Sequence, residues 1–141
     1  MSDLTWLAAV IGAPWVLRGR DPATGWDCLG CAEVCQARML GTPEINSLRF
    51  YAGETRKRPS ALMAEHFERA VALYRPAPPR TAGAIILFSP GGWPVHCGLY
   101  IGHGSFLHAS RQADTVISNL SDGDYAMLPA TYYLPADYPH E

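Results

Sequence analysis

The apolar positions of this chain change period about halfway along. In the first half they recur at helical spacing. Leu4, Leu7, Ala8 and Ile11 predict a short amphipathic helix over 3–11, ended by Gly12 and kept from resuming by Pro14. Cys28, Cys31, Cys35 and Met39 fall at i, i+3, i+7 and i+11, with Ala32 beside them. That spacing predicts a helix over 28–40 with one stripe toward the core, closed by Gly41 and Pro43. Ser60 caps a third helix whose buried face carries Met63, Phe67, Ala70 and Tyr74. Between these helices lie a long loop over 12–26, punctuated by Gly and Pro, and a polar stretch over 42–59. The triplet Arg56-Lys57-Arg58 in that stretch reads as solvated loop.

In the second half the period becomes that of strands. Pro76, Pro78 and Pro79 make 75–80 a stiff linker inside the domain. Ala84 to Phe88 is a continuous apolar run, as in a central strand. Residues 95–101 and 105–110 read as a hairpin across Gly102-His103-Gly104. Residues 115–119 and about 125–134 are further strands, with Asp122-Gly123 as turn residues. Helices first and strands afterwards predict an α+β fold, a helix on an antiparallel sheet of about five strands.

The hairpin register decides which side chains meet. A three-residue loop pairs Ile101 with Ser105 and sets His108 across from Gly98, diagonal to His96 on the same face. His96, Gly98, Tyr100, Phe106, His108 and Ser110 share that face. Val95, Cys97, Leu99, Ile101, Leu107 and Ala109 share the other, more uniformly apolar one. A two-residue loop would separate the histidines.

Composition narrows the function classes. The chain of 141 residues, 48% hydrophobic and 17% charged, is expected to form one domain, 1–141. A net charge of -2 gives no electrostatic support to a nucleic-acid or anionic-membrane partner. No apolar run approaches the roughly 20 residues of a membrane span, so membrane insertion is not expected. Met1-Ser2-Asp3-Leu4 has no basic n-region and no long apolar stretch follows it. No signal peptide is therefore expected, and the chain should be cytoplasmic on synthesis. The cysteines at 28, 31, 35 and 97 do not have the spread of a disulfide framework and are read as thiols.

One cysteine is placed for chemistry. Asp27 is a good N-cap, which puts Cys28 in the first turn, where the helix dipole favours a thiolate. His96 would take its proton and later return it to a leaving amine. His108 would bond the far nitrogen of His96 and fix its tautomer, as a third triad member does. The backbone N–H of Cys28 is a natural oxyanion donor. The reaction class is acyl transfer, most simply amide hydrolysis. Cys31 and Cys35 read as small buried hydrophobes, and His103 and His140 as solvated. A metal site built from Cys28, Cys31, Cys35 and Cys97 or His96 is the rival reading. Against it, this CxxC runs into helical pattern rather than a knuckle. Cys97 also faces away from His96, which excludes Cys97 from the His96 site.

Several segments together resemble the NlpC-type cell-wall peptidases, which are papain-like cysteine peptidases. They are Gly12-Ala13-Pro14-Trp15, Gly25-Trp26-Asp27-Cys28-Leu29-Gly30, Gly83 to Phe88, His96-Cys97-Gly98-Leu99-Tyr100-Ile101-Gly102 and Phe106-Leu107-His108-Ala109. The resemblance implies Cys28 as nucleophile, His96 as base and His108 as third residue, with no catalytic metal or other cofactor. It implies cleavage of peptidoglycan stem peptides, typically between D-glutamate and a diamino acid. Trp15, Asp27 and Leu29 are the implied substrate-side residues. Departures from the common pattern are Trp15 for a Tyr, Leu29 for a Ser and Ala84 for an Asp. The apolar residue after the cysteine, the expected lack of a signal peptide and of a cell-wall-binding module, and the compact size together resemble the branch found in phage tails and gene transfer agents. The expected partners are then the wall peptide and other tail proteins, on a virion or phage-like particle. A non-catalytic tail protein on the same fold, and an amidase or acyltransferase using the same triad, are the alternatives.

Overall fold

In the computed structural model, residues 4–47, 70–92 and 94–139 are described. α1 (Leu7–Val10) is one turn, shorter than the periodicity predicts, and buries Val10. The loop after it is more structured than its composition suggests. It contains a two-stranded ribbon, β1 (Arg20–Asp21) with β2 (Gly25–Trp26), and a parallel bridge joins Trp15 to Trp26.

α2 (Cys28–Leu40) follows directly. The Asp27 side chain accepts the Gly30 N–H at 2.8 Å, and Gly41 ends the helix in the left-handed conformation at φ 69°. The stripe of Cys28, Cys31, Cys35 and Met39 is buried, as the spacing predicts. Burial extends further, to Glu33 and Gln36, so α2 is a central helix rather than a surface one. Gln36 Nε2 donates to the carbonyls of Gly83 and Tyr133 at 3.0 and 3.1 Å. Glu33 receives Arg20 Nη1 at 2.7 Å, the Ser47 N–H at 3.3 Å and the Tyr74 hydroxyl. Each buried polar group on α2 is thereby matched by a partner from the ribbon, the sheet or a loop.

The helix expected from Ser60, with Met63 and Phe67 on its face and His66 within it, lies mostly outside the described residues, as does Arg56-Lys57-Arg58. Its C-terminal end is described and differs from expectation. Val71–Leu73 form a 3-10 turn, and Tyr74 begins β3 (Tyr74–Ala77). The expected linker is thus partly a strand. Pro76 is tolerated because β3 is the edge of the sheet, paired on one side only.

The remaining strands are β4 (Ile85–Phe88), β5 (His96–Gly102), β6 (Ser105–Ser110), β7 (Asp114–Asn119) and β8 (Ala130–Pro135). A single turn, α3 (Gly123–Ala126), precedes β8. They form a six-stranded antiparallel sheet in the order β3-β8-β4-β5-β6-β7. The sixth strand is the one read from sequence as linker. Leu99 pairs with Leu107 and Tyr100 with Phe106, the register expected of a three-residue hairpin loop. The expected Ile101–Ser105 pair is not formed: Gly102 pairs with Ser105 across a two-residue loop, and a bulge at Ile101 restores the register that keeps the two histidines on one face.

Each sheet face has its own core. Toward α2 lie Ile85, Leu87, Cys97, Leu99, Leu107 and Ala109. On the opposite face Ile86, Phe88, Tyr100, Phe106 and Tyr132 pack beneath Leu120, Tyr125 and Leu128. The period-two alternation therefore sorts the hairpin as predicted. Among the described residues, no helix is long and apolar enough to cross a membrane.

Candidate active site

Cys28 is held in place from two directions. Trp26, fully buried, donates its indole N–H to Thr115 Oγ1 at 2.7 Å, and that hydroxyl donates to the Ala13 carbonyl at 2.9 Å. The segment leading into α2 is thereby tied to β7. The Asp27 carboxylate also accepts the Arg18 N–H at 2.9 Å, besides capping the helix. Gly30 completes the support. A Cβ there would fall 2.1 Å from the Gly19 carbonyl oxygen, so only glycine lets the loop lie against the first turn.

The hairpin supplies two histidines. His96 Nε2 and His108 Nδ1 are 2.8 Å apart, and His108 Nε2 lies 2.8 Å from Ser118 Oγ on β7. Gly98 sits between them, where a Cβ would be 2.9 Å from Phe106 and 3.2 Å from His108 Cβ. Aromatic rings wall the pair. Phe88 stacks near His96, while Phe106 and Tyr125 flank His108. Both histidines border an open cleft of about 580 Å³, shared with Ser118, Asp122, Asp124 and Tyr125.

Cys28 completes the row. Its thiol lies beside both the His96 ring and the Cys97 thiol, which act on its charge. Since His96 Nε2 is engaged by His108, Nδ1 is the nitrogen left for the sulfur. Cys28 is held well below the ordinary thiol value, first by the Cys97 S–H and then by His96, against the opposing cost of burial. Cys97 is correspondingly pushed up, by its bond to Cys28 and by burial. Burial, reinforced by His96, pushes His108 down to about 4, so it is neutral at physiological pH. Burial and then the Cys28 charge raise Asp27 to about 6.

A proton taken from sulfur onto His96 sets the direction of the chain. A His96 imidazolium donates from Nε2, so His108 accepts at Nδ1 and carries its proton on Nε2, which donates to Ser118 Oγ. The row Cys28–His96–His108–Ser118 can therefore take a proton from sulfur onto His96 and stabilise it there.

The structure brings Cys28, His96 and His108 together. It corrects the exclusion of Cys97. That residue does face away from His96, on the α2 side of the sheet. The nucleophile, however, sits at the rim where β5 begins and reaches two consecutive residues of opposite facing. Ser118 was not foreseen. It lies opposite Phe106 and diagonal to His108, so extending the face argument by one strand finds it once the Arg111–Ala113 turn length is known. Of the residues expected on the substrate side, Asp27 spends both carboxylate oxygens on backbone N–H groups and Leu29 is a buried core residue. Trp15 is half-buried, with the Arg111 guanidinium 4.6 Å from its ring centre. Cys31 and Cys35 are core, and His103 is an exposed loop residue. Trp93 and His140 lie outside the described residues. Among the described residues, no cluster of three or more His, Cys, Asp or Glu is arranged to hold a metal ion.

Similar folds are known. The NlpC/p60 domain of the peptidoglycan hydrolase SagA is 17% identical, with a TM-score of 0.56, over 90% of this chain and 92% of that one. The P60 domain of an antigen from M. avium subspecies paratuberculosis is 18% identical, with a TM-score of 0.57, over 94% and 90%. An NlpC/P60 family protein from Bacillus cereus is 18% identical, with a TM-score of 0.55, over 88% of this chain and 36% of that one. No curated protein sequence matches significantly. At these identities the likeness speaks for the fold, and it is the sequence pattern of the NlpC/P60 family, matching residues 12–128, that settles the kinship: the chain belongs to the NlpC/P60 family.

Proposed function

We propose that this chain is a cysteine endopeptidase that hydrolyses peptidoglycan stem peptides, at the bond between D-glutamate and a diamino acid. The observation that carries the reading is the Cys28–His96–His108 row, with its 2.8 Å contact between the histidines. The Cys28 thiolate attacks the scissile carbonyl, and the backbone N–H of Cys28, in the first helical turn, faces the developing oxyanion. His96 gives its proton to the leaving amine, producing a thioester. His96 then takes a proton from water, which attacks the thioester and frees Cys28. His108 orients the ring throughout. Family membership supports a wall peptide as substrate, and the hydrolases among the similar folds support hydrolysis.

We further place the enzyme in the tail of a phage-like particle, made in the cytoplasm and then carried on the virion beside other tail proteins. The support is the resemblance of the Cys28 motif, with Leu29 after the cysteine, to that branch. Mass spectrometry of purified particles tests the placement, and a chain absent from them overturns it.

The enzymatic reading is tested with purified sacculi. Cys28→Ala should abolish release of stem-peptide fragments with an unchanged unfolding midpoint, and fragment masses should identify the cleaved bond. Undiminished release by the variant would overturn the mechanism.

A further inference from the structure

The hydrolytic row uses one thiol, yet two stand together. The Cys28 and Cys97 side chains lie beside one another, packed in the same cluster with Ile85 and Leu87. Cys31 and Cys35, further along the same stripe of α2, belong to a different cluster. The two thiols of the first pair are unequal. Cys28 retains 6% of its surface and Cys97 none, so a reagent entering the site meets Cys28 first. Cys28 is also the member of the pair whose thiol is lowered, while Cys97 is raised. A lowered thiol at the edge of the core, beside a fully buried and raised one, is the arrangement of a reactive cysteine and its resolving partner.

We propose that Cys28 and Cys97 form a site of reversible oxidation, in which a hydroperoxide converts the nucleophile to a disulfide with its strand neighbour. Cys28 S⁻ attacks one peroxide oxygen and the O–O bond breaks, giving the Cys28 sulfenic acid and a hydroxide or alkoxide that takes up a proton. The Cys97 sulfur then attacks the Cys28 sulfur. An S–S bond forms, the S–O bond breaks, and the departing oxygen leaves as water with the Cys97 proton. Two thiols are oxidised by two electrons and one peroxide is reduced. Cys97 thereby protects the nucleophile from irreversible sulfinic acid, at the cost of an inactive enzyme until a thiol reductant restores it.

The inference rests on the same thiolate as the proposed hydrolysis, but its readout is thiol chemistry, so the two can fail separately. The full chain is treated with hydrogen peroxide and its free thiols are counted. The count should fall from four to two, with loss of two hydrogens in the intact mass. Peptide fragmentation should place the link between Cys28 and Cys97, and dithiothreitol should return all four thiols. In Cys97→Ala the same treatment should leave Cys28 as sulfinic acid that dithiothreitol does not reverse. Four persisting thiols, a Cys28–Cys31 or Cys31–Cys35 link, or sulfinic acid on Cys28 of the unaltered chain would overturn the proposal. The mapping on the unaltered chain decides the matter even if the variant folds poorly.

Discussion

His96 Nε2 meets His108 Nδ1 at 2.8 Å, and His108 is itself held by Ser118 at 2.8 Å. This makes the third residue of the row a neutral acceptor whose tautomer is set from β7. His108→Ala should lower kcat by about 10²–10³-fold with little change in KM, because His96 then lacks the partner that orients it. Ser118→Ala should cost less, about 10-fold or below, since His108 keeps its place and loses only one hydrogen bond of about 1 kcal/mol. Steady-state kinetics on soluble stem peptides checks the ranking. A Ser118→Ala loss as large as that of His108→Ala would contradict this order of roles.

The buried ionisable groups of the site push stability in opposite directions with pH. His108 is lowered from 6.5 to about 4, so between those values the unfolded chain binds the extra proton. Its contribution is complete above pH 6.5 and is lost as pH falls through 4. Asp27 is raised from 3.8 to about 6, so the folded chain binds the extra proton in that window. Its contribution is complete below 3.8 and is lost as pH rises through 6. The unfolding free energy of the unaltered chain minus that of His108→Asn should therefore rise from pH 4 to 6.5. The same difference against Asp27→Asn should fall from pH 4 to 6. Guanidinium titrations across this range read both slopes, and parallel curves would show that neither group is perturbed.

Glu33 joins the ribbon, α2 and the edge strand. It is 1% exposed and receives Arg20 at 2.7 Å, the Ser47 N–H and the Tyr74 hydroxyl. Glu33→Gln should cost about 3–5 kcal/mol, because Arg20 is left half-buried with its closest carboxylate gone. Glu44 also contacts Arg20, at 3.1 Å, but its side chain is 48% exposed. Glu44→Gln should change stability by about 1 kcal/mol or less. Denaturant-derived free energies separate the two, and equal losses would mean that burial does not govern this ion pair.

The parts of the site that could be read from sequence obey short-range rules. The Asp27 cap and the buried stripe of α2 follow from spacing alone, whereas the common face of His96 and His108 needs the bulge at Ile101 to offset a two-residue turn. What escaped depends on distant partners. Glu33 and Gln36 fall outside the Cys28–Met39 stripe, and their partners Arg20, Tyr74 and the Gly83 and Tyr133 carbonyls are not visible from α2. Pro76 reads as linker because its tolerance depends on β3 being an edge strand. Cys97 was excluded by a correct facing argument. The facing rule says nothing of a sulfur arriving at the end of a strand rather than over its face.

Gly30 tests whether the loop and the first turn of α2 are truly in contact. By helix propensity alone, Gly30→Ala would stabilise α2 by about 1 kcal/mol. The structure reverses that sign. The new methyl would fall 2.1 Å from the Gly19 oxygen and 3.4 Å from Arg20 Cα, both backbone atoms that cannot rotate away. The loop must shift, loosening the Arg18 N–H from Asp27 and with it the turn that carries Cys28. Gly30→Ala should destabilise the chain by about 1–3 kcal/mol and lower kcat as well. Gly41→Ala is the control. Its φ of 69° costs about 1 kcal/mol in stability, but nothing lies within 4 Å of the added methyl, so kcat should not change. Unfolding midpoints and kcat measured on both variants decide it. A stabilised or fully active Gly30→Ala would mean that the loop does not hold the nucleophile in position.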